Sequence, residues 1–115
     1  MVFGYGSMKA EKNMFEMKVI RCIRKMQELH LNDSKFSEYY DELIELLSFN
    51  CDETIALLKE LSYKDLPWVS PTFAPVAVRL GCQEFLETIQ KIAQSYPSIP
   101  GIEQDIKDAI EATQA

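Results

Sequence analysis

Glu38, Asp41, Glu42 and Glu45 fall at i, i+3, i+4 and i+7, the spacing that sets side chains on one face of an α-helix. Carboxylates gathered this way could work as an acid–base pair, hold a metal, or receive a cation. The first two need more than the chain offers. Acid–base catalysis wants groups of matched pKa brought to one point, and carboxylate spacing alone gives no such pair. A di-metal carboxylate bundle wants Glu-x-x-His motifs, and the sequence has none. His30 is the only imidazole. It is placed in the last turn of the first helix, where a cation suits the dipole, and reads as a capping or surface residue. Cys22, Cys51 and Cys82 are odd in number and far apart, so they read as three buried or half-buried free thiols of a reducing cytoplasm. Paired zinc ligands a few residues apart, a glycine-rich phosphate loop and a Gly-x-Ser-x-Gly elbow are all lacking. The expectation is a protein that is not an enzyme and uses no cofactor or metal.

The third chemistry remains. No lysine or arginine lies between Lys35 and Lys59, although like charges at helical spacing repel by a few tenths of a kcal/mol, roughly, per pair. A helix shaped only for stability would mix in lysines; a solvated face is the plain alternative. Asp52 and Glu53 enlarge the acidic zone if the turn before them is tight. Asp105, Asp108 and Glu111 form a second acidic side, with Lys107 partly balancing it and Glu103 spaced to pair with Lys107. Tyr39, Phe49, Tyr63 and Trp68 are the aromatic side chains that could anchor a partner among these carboxylates.

Charge along the chain agrees. Residues 1–35 carry seven Lys/Arg and four Asp/Glu, and residues 36–115 carry five and fourteen, which gives +3 and −9 and sums to −6. Nucleic acid needs a cationic surface, so direct nucleic-acid binding is not expected. A basic protein partner is.

These residues must be positioned by helices. Apolar side chains recur at helical spacing in nearly every segment: Phe15, Val19, Cys22, Met26 and Leu29 in a helix over about 10–30; Phe36, Tyr40, Leu43 and Leu47 in one capped by Asp33 or Ser34; Ile55, Leu58 and Leu61 in a short one begun by Cys51 or Asp52. Phe85, Ile89, Ile92 and Tyr96 mark a helix over about 83–95, and Ile102, Ile106, Ala109 and Ile110 one over about 101–113. No segment alternates as a half-buried strand would. The expected fold is all-α: a single compact bundle of about five to six antiparallel helices over residues 10–115, after a flexible tail at 1–9. No apolar run approaches the ~20 residues of a membrane span, and the N-terminus is not patterned as a secretory signal. Cys51 and Cys82 each stand in a Cys-x-Glu ahead of an apolar helix, 31 residues apart, a likeness that two helix starts can share by chance.

Pro67, Pro71 and Pro75 fall four residues apart in DLPWVSPTFAPVAVRLG, where an interior proline would break a helix at a cost of about 3 kcal/mol. They read better as helix starts. Asp65 is expected to cap a short turn holding Pro67, and Ser70 to cap the next helix with Pro71 at its first position. Pro75 is then awkward and predicts a kink or a late-starting helix. Gly81 is the expected stop, and Trp68 is expected to pack in the joint between the two halves of the chain.

LPWVSPTFAPVAVRLGCQEFLETIQKIAQSYPSIPGIEQDIKDAI, Leu66 to Ile110, resembles the C-terminal part of small all-helical immunity proteins. These accompany bacterial contact-dependent inhibition toxins and related polymorphic toxins. The likeness is carried by Trp68-Val69-Ser70 opening a helix, by Phe85 and Leu86 near the start of another, by the Tyr96-Pro97 stop, and by Asp105-Ile106 and Ala109 in the last helix. It covers under half the chain. The family's segment after Trp-x-Ser is an uninterrupted acidic helix, from which Pro71 and Pro75 depart. The resemblance implies a cytoplasmic antidote, monomeric and in 1:1 complex with the C-terminal toxin domain of its own system. It would inactivate that domain by occluding its active or substrate-binding surface. Many such toxins are nucleases, which are basic. No binding residue carries over, since these proteins diversify their contact surface. The candidate contact residues come from the acidic faces alone: Glu38, Asp41, Glu42, Glu45, Asp52, Glu53 and Tyr39, with Asp105, Asp108 and Glu111 as the second side. The competing expectation is an adaptor or regulatory module that takes a partner helix in an apolar groove.

Overall fold

The computed structural model describes residues 2–29 and 32–114, with side chains from Met14 onward. His30 lies outside the described residues. Among those described, every regular element is a helix: α1 (Val2–Glu28), α2 (Ser34–Leu47), α3 (Cys51–Glu60), α4 (Leu66–Val69), α5 (Phe73–Leu80), α6 (Gln83–Ser95) and α7 (Ile102–Gln114), with a 3-10 turn at Ser70–Thr72 between α4 and α5. The fold is all-α, as the periodicity predicts. Helix α1 begins at Val2, earlier than the boundary near residue 10, because a backbone helix can continue where no apolar stripe marks it.

The helix starts follow local chemistry. The Asp33 side chain accepts the Lys35 N–H at 2.9 Å and opens α2. The Asn50 side chain accepts the Glu53 N–H at 2.9 Å and opens α3. Each satisfies an end donor that the helix itself cannot. Gly81 ends α5 at φ 61°, a left-handed conformation that only glycine takes at no steric cost.

One core cluster runs through the molecule. Val19, Cys22, Ile23 and Met26 of α1 are buried, as are Leu43 and Leu47 of α2, Phe73 and Val76 of α5, Phe85 and Ile89 of α6, and Ile102 and Ala109 of α7. The Phe73 and Phe85 rings meet edge to face at 6.0 Å, a favoured arrangement for their quadrupoles. Tyr96, placed in the α6 stripe by spacing, is exposed, because α6 stops at Ser95 and the chain turns there. Ile99 plugs the core from that turn instead.

Helices α1 and α2 pair antiparallel. Phe15 and Lys18 of α1 share a groove with Leu46 and Phe49 at the far end of α2, while Cys22 meets Glu42. Two pairs distant in sequence run side by side in the same direction. Helices α3 and α6 are joined at their N-terminal ends by a disulfide, Cys51 to Cys82, and Leu61 and Tyr96 from their far ends line one groove. Helix α5 lies along α7, with Ala77 and Gly81 beside Ile110 and Thr113.

The disulfide corrects the reading of three free thiols. Only Cys22 is free, and it is buried. Sequence separation says nothing of spatial distance; the Cys-x-Glu likeness marks the two helix starts that the bond joins.

The prolines divide one helical run into three short pieces. Pro67 is in the first turn of α4 and Pro71 in that of the 3-10 turn. Pro75 is the third residue of α5, whose late start at Phe73 frees it from conflict. In each place the missing N–H would have had no helical partner. The expected caps are corrected: neither Asp65 nor Ser70 makes a side-chain cap bond. Asp65 instead reaches across the molecule. Its carboxylate takes two bonds from the Arg24 guanidinium, at 2.7 and 3.3 Å, and so ties α1 to the proline corner. Trp68 packs there on Phe36 of α2, ring centroids 6.5 Å apart, which seats it in the joint between the halves.

Candidate functional site

Helix α2 presents the acidic face. Leu43, Ile44 and Leu47 turn into the core, so helical geometry turns Glu38, Asp41, Glu42 and Glu45 outward, and all four are exposed. Tyr39 is half-buried beside them, Asp52 is exposed, and Glu53 is half-buried.

The four carboxylates divide toward two sides. Glu42 leans to α1, where the Cys22 thiol donates to its Oε2 at 3.1 Å. Burial first, then the hydrogen bond and charge of Glu42, push the Cys22 pKa up to about 12. The thiol therefore stays protonated and serves as a donor, not a nucleophile. Asp41 stands beside Tyr40 in sequence. The Tyr40 hydroxyl donates to the Pro71 carbonyl at 2.9 Å, and its pKa is raised by burial, then by the charges of Asp105 and Asp41. Both carboxylates thus act on one phenol. The acidic face of α2 and the start of the second acidic side both come within electrostatic reach of that phenol.

Asp105 is half-buried. Burial raises its pKa, the Ser70 hydroxyl beside it opposes the rise, and the Asp108 charge adds to it. Asp108 is exposed and accepts from Gln104 at 2.8 Å. Glu111 is exposed but lies about 9 Å further along α7 at the usual helical rise. The last turn of α7 neighbours Gly81 and Cys82, so Glu111 stands apart from the Asp41–Asp105 junction. The ion pair expected between Glu103 and Lys107 is not formed among the described residues; Arg24–Asp65 is.

A feature hidden from sequence reading adjoins the α2 face. Met14 and Phe15 of α1 with Leu46 and Phe49 at the end of α2 floor an open groove of about 450 Å³. Glu42, Glu45 and Glu53 rim it, with Lys18 as the one cation among the described residues of the lining. The first helix stripe assigned Phe15 to the core, yet Phe15 and Leu46 are both only half-buried. Phe49 carried the signal, as a large apolar residue in a turn that neither stripe requires. It is 85% exposed. Of the other aromatic candidates, Tyr63 is exposed away from this groove, and Tyr39 and Trp68 pack against the core.

Among the described residues no group of three or more His, Cys, Asp or Glu is placed to hold a metal ion, and no helix is long and apolar enough to cross a membrane. The arrangement can receive cations and bury an apolar side chain. Comparison with family models, curated proteins and solved structures finds no match to this chain.

Proposed function

We propose that this chain is an immunity protein: it binds a basic toxin domain of its own system and neutralises it stoichiometrically, without catalysis. The observation that supports this best is the run of four exposed carboxylates along α2, met at Tyr40 by Asp105 of α7. A surface of one sign steers an oppositely charged partner and excludes wrong ones. Against a nuclease, carboxylates occupy the cationic surface that nucleic-acid phosphates would otherwise take. The contact residues in this reading are Glu38, Asp41, Glu42, Glu45 and Tyr39, extended by Asp52 and Glu53 at the start of α3 and by Asp105 and Asp108. Glu111 is the least favoured, being remote from the junction. The complex is 1:1, with neither nucleic acid nor membrane as direct partner.

The toxin's target places this activity in the cytoplasm. The Cys51–Cys82 bond opposes that placement, since disulfides persist in oxidising compartments. Trapping thiols in living cells before lysis decides it: a free Cys51–Cys82 pair supports the cytoplasm, and a bonded pair points to an oxidising compartment.

A second reading has its own support. The Phe49 groove fits an adaptor that receives a partner helix. Co-expression with the toxin domain encoded beside it tests the first reading. Cells survive if the chain is an antidote, and they lose protection when Glu38, Asp41, Glu42 and Glu45 are all replaced by lysine in a variant that remains folded. Retained protection in that variant removes the acidic face from the account.

A further inference from the structure

The groove at Phe49 is too well supported to be an accident of a loose turn. The Thr54 hydroxyl donates to the Leu47 carbonyl at 2.7 Å, a buried bond that clamps the end of α2 to the start of α3. Asn50 caps α3 within the same turn. The turn is therefore pinned on both sides of Phe49, and the ring is held 85% exposed with no partner ring among the described residues. Met14, 57% exposed, continues the apolar surface onto α1. Burying a phenylalanine is worth about 1.5–3 kcal/mol, stability that an external contact on this contiguous apolar surface would return.

The rim says what that contact is. Among the described residues of the lining, three carboxylates, Glu42, Glu45 and Glu53, stand with one lysine, Lys18. A groove between α3 and α6 is lined by Lys59 and Lys91 with Glu84 and Glu87 and selects no sign. An apolar floor with an acidic rim matches a helix that carries apolar residues on one face and lysine or arginine beside them.

We infer that the Phe49 groove is the docking site for a cationic amphipathic helix of the partner, with an apolar side chain seated on Phe15, Leu46 and Phe49 and its basic residues on Glu42, Glu45 and Glu53. The inference deepens the proposed function, resting on its assignment of the α2 face as the contact face. It joins that reading to the adaptor reading by giving one site both an apolar anchor and charge.

Designed helical peptides about four turns long test it on the full chain, free of any toxin. One carries leucine on one face and lysine on the other; a second has alanine for leucine; a third has glutamate for lysine. Amide shifts on titration should cluster at residues 14–18 and 42–54 for the leucine–lysine peptide. Phe49→Ala should weaken its binding about tenfold, as loss of a central aromatic anchor does. Glu45→Gln with Glu53→Gln should weaken it further and flatten its salt dependence. The alanine–lysine peptide should bind more weakly and the leucine–glutamate peptide not at all. Shifts centred elsewhere, unchanged binding by Phe49→Ala, equal binding of all three peptides, or a dimer of the free chain dissociated by Phe49→Ala would overturn the assignment. Peptide binding without cellular protection sinks the antidote reading alone; protection without peptide binding sinks the groove alone.

Discussion

Cys51 and Cys82 are bonded across 31 residues of sequence, and each stands at the N-terminal end of its own helix, α3 or α6. The bond fixes the start of a side-by-side pair that no short turn could have arranged. Denatured, unreduced protein should therefore release one titratable thiol per chain, from Cys22. Native protein should release none, since that thiol is buried and its pKa is pushed to about 12. Closing a loop of this length stabilises a fold by about 3–4 kcal/mol, so Cys51→Ser with Cys82→Ser should lower the urea midpoint accordingly. Three thiols without reduction would refute the pairing.

The Arg24–Asp65 pair should behave as a tertiary tie and not as a helix cap. Asp65 is 7% exposed, so removing Arg24 leaves its carboxylate poorly solvated, and the penalty falls on stability. Arg24→Ala should destabilise more than Arg21→Ala. In an Asp65→Ala background the Arg24 effect should shrink. Equal effects in both backgrounds, by urea denaturation, would show that the two side chains act independently.

Asp105 gives a pH signature. Its pKa in the folded chain is raised above the ordinary 3.8, chiefly by burial, so the folded state favours the protonated acid. The stability it contributes is complete below the ordinary value and is lost as pH rises through the folded one. At neutral pH the ionised carboxylate is therefore a burden, and Asp105→Asn, which keeps the shape without the charge, should raise the melting temperature there. Below about pH 4, where the unfolded acid also holds its proton, the gain should vanish. A gain that persists in acid would mean that Asp105 acts through packing instead.

Gly81 holds φ 61°, and a Cβ added there would meet nothing within 4 Å. The cost of Gly81→Ala is then backbone strain alone, about 1 kcal/mol. Chemical denaturation should show that loss with an unchanged m-value; no loss would mean that the α5–α6 turn relaxes freely.

Period-3.6 patterning placed the helices, because burial of one stripe is what stabilises each of them. Val19, Cys22, Leu43, Phe85 and Ile102 were legible for that reason, and so was the Gly81 stop. Asp65 was not. Its position at a helix start suggests a cap, and nothing local reveals that Arg24, 41 residues earlier, lies within 2.7 Å. The α2 carboxylates were legible from spacing, but their meeting with Asp105 depends on how α7 packs. Phe49 was named as an anchor, while its groove was invisible, because Phe15 and Leu46 follow the core period and yet stop at its edge.

The central claim is that the α2 carboxylates bind a basic toxin domain. Calorimetric titration of the chain with its proposed toxin-domain partner, over a series of salt concentrations, addresses this most directly. The account predicts a 1:1 complex that weakens as salt screens the opposed charges and disappears when Glu38, Asp41, Glu42 and Glu45 are replaced by lysine in a folded variant. No complex at micromolar concentration between folded partners, or undiminished binding by the lysine variant, would contradict it.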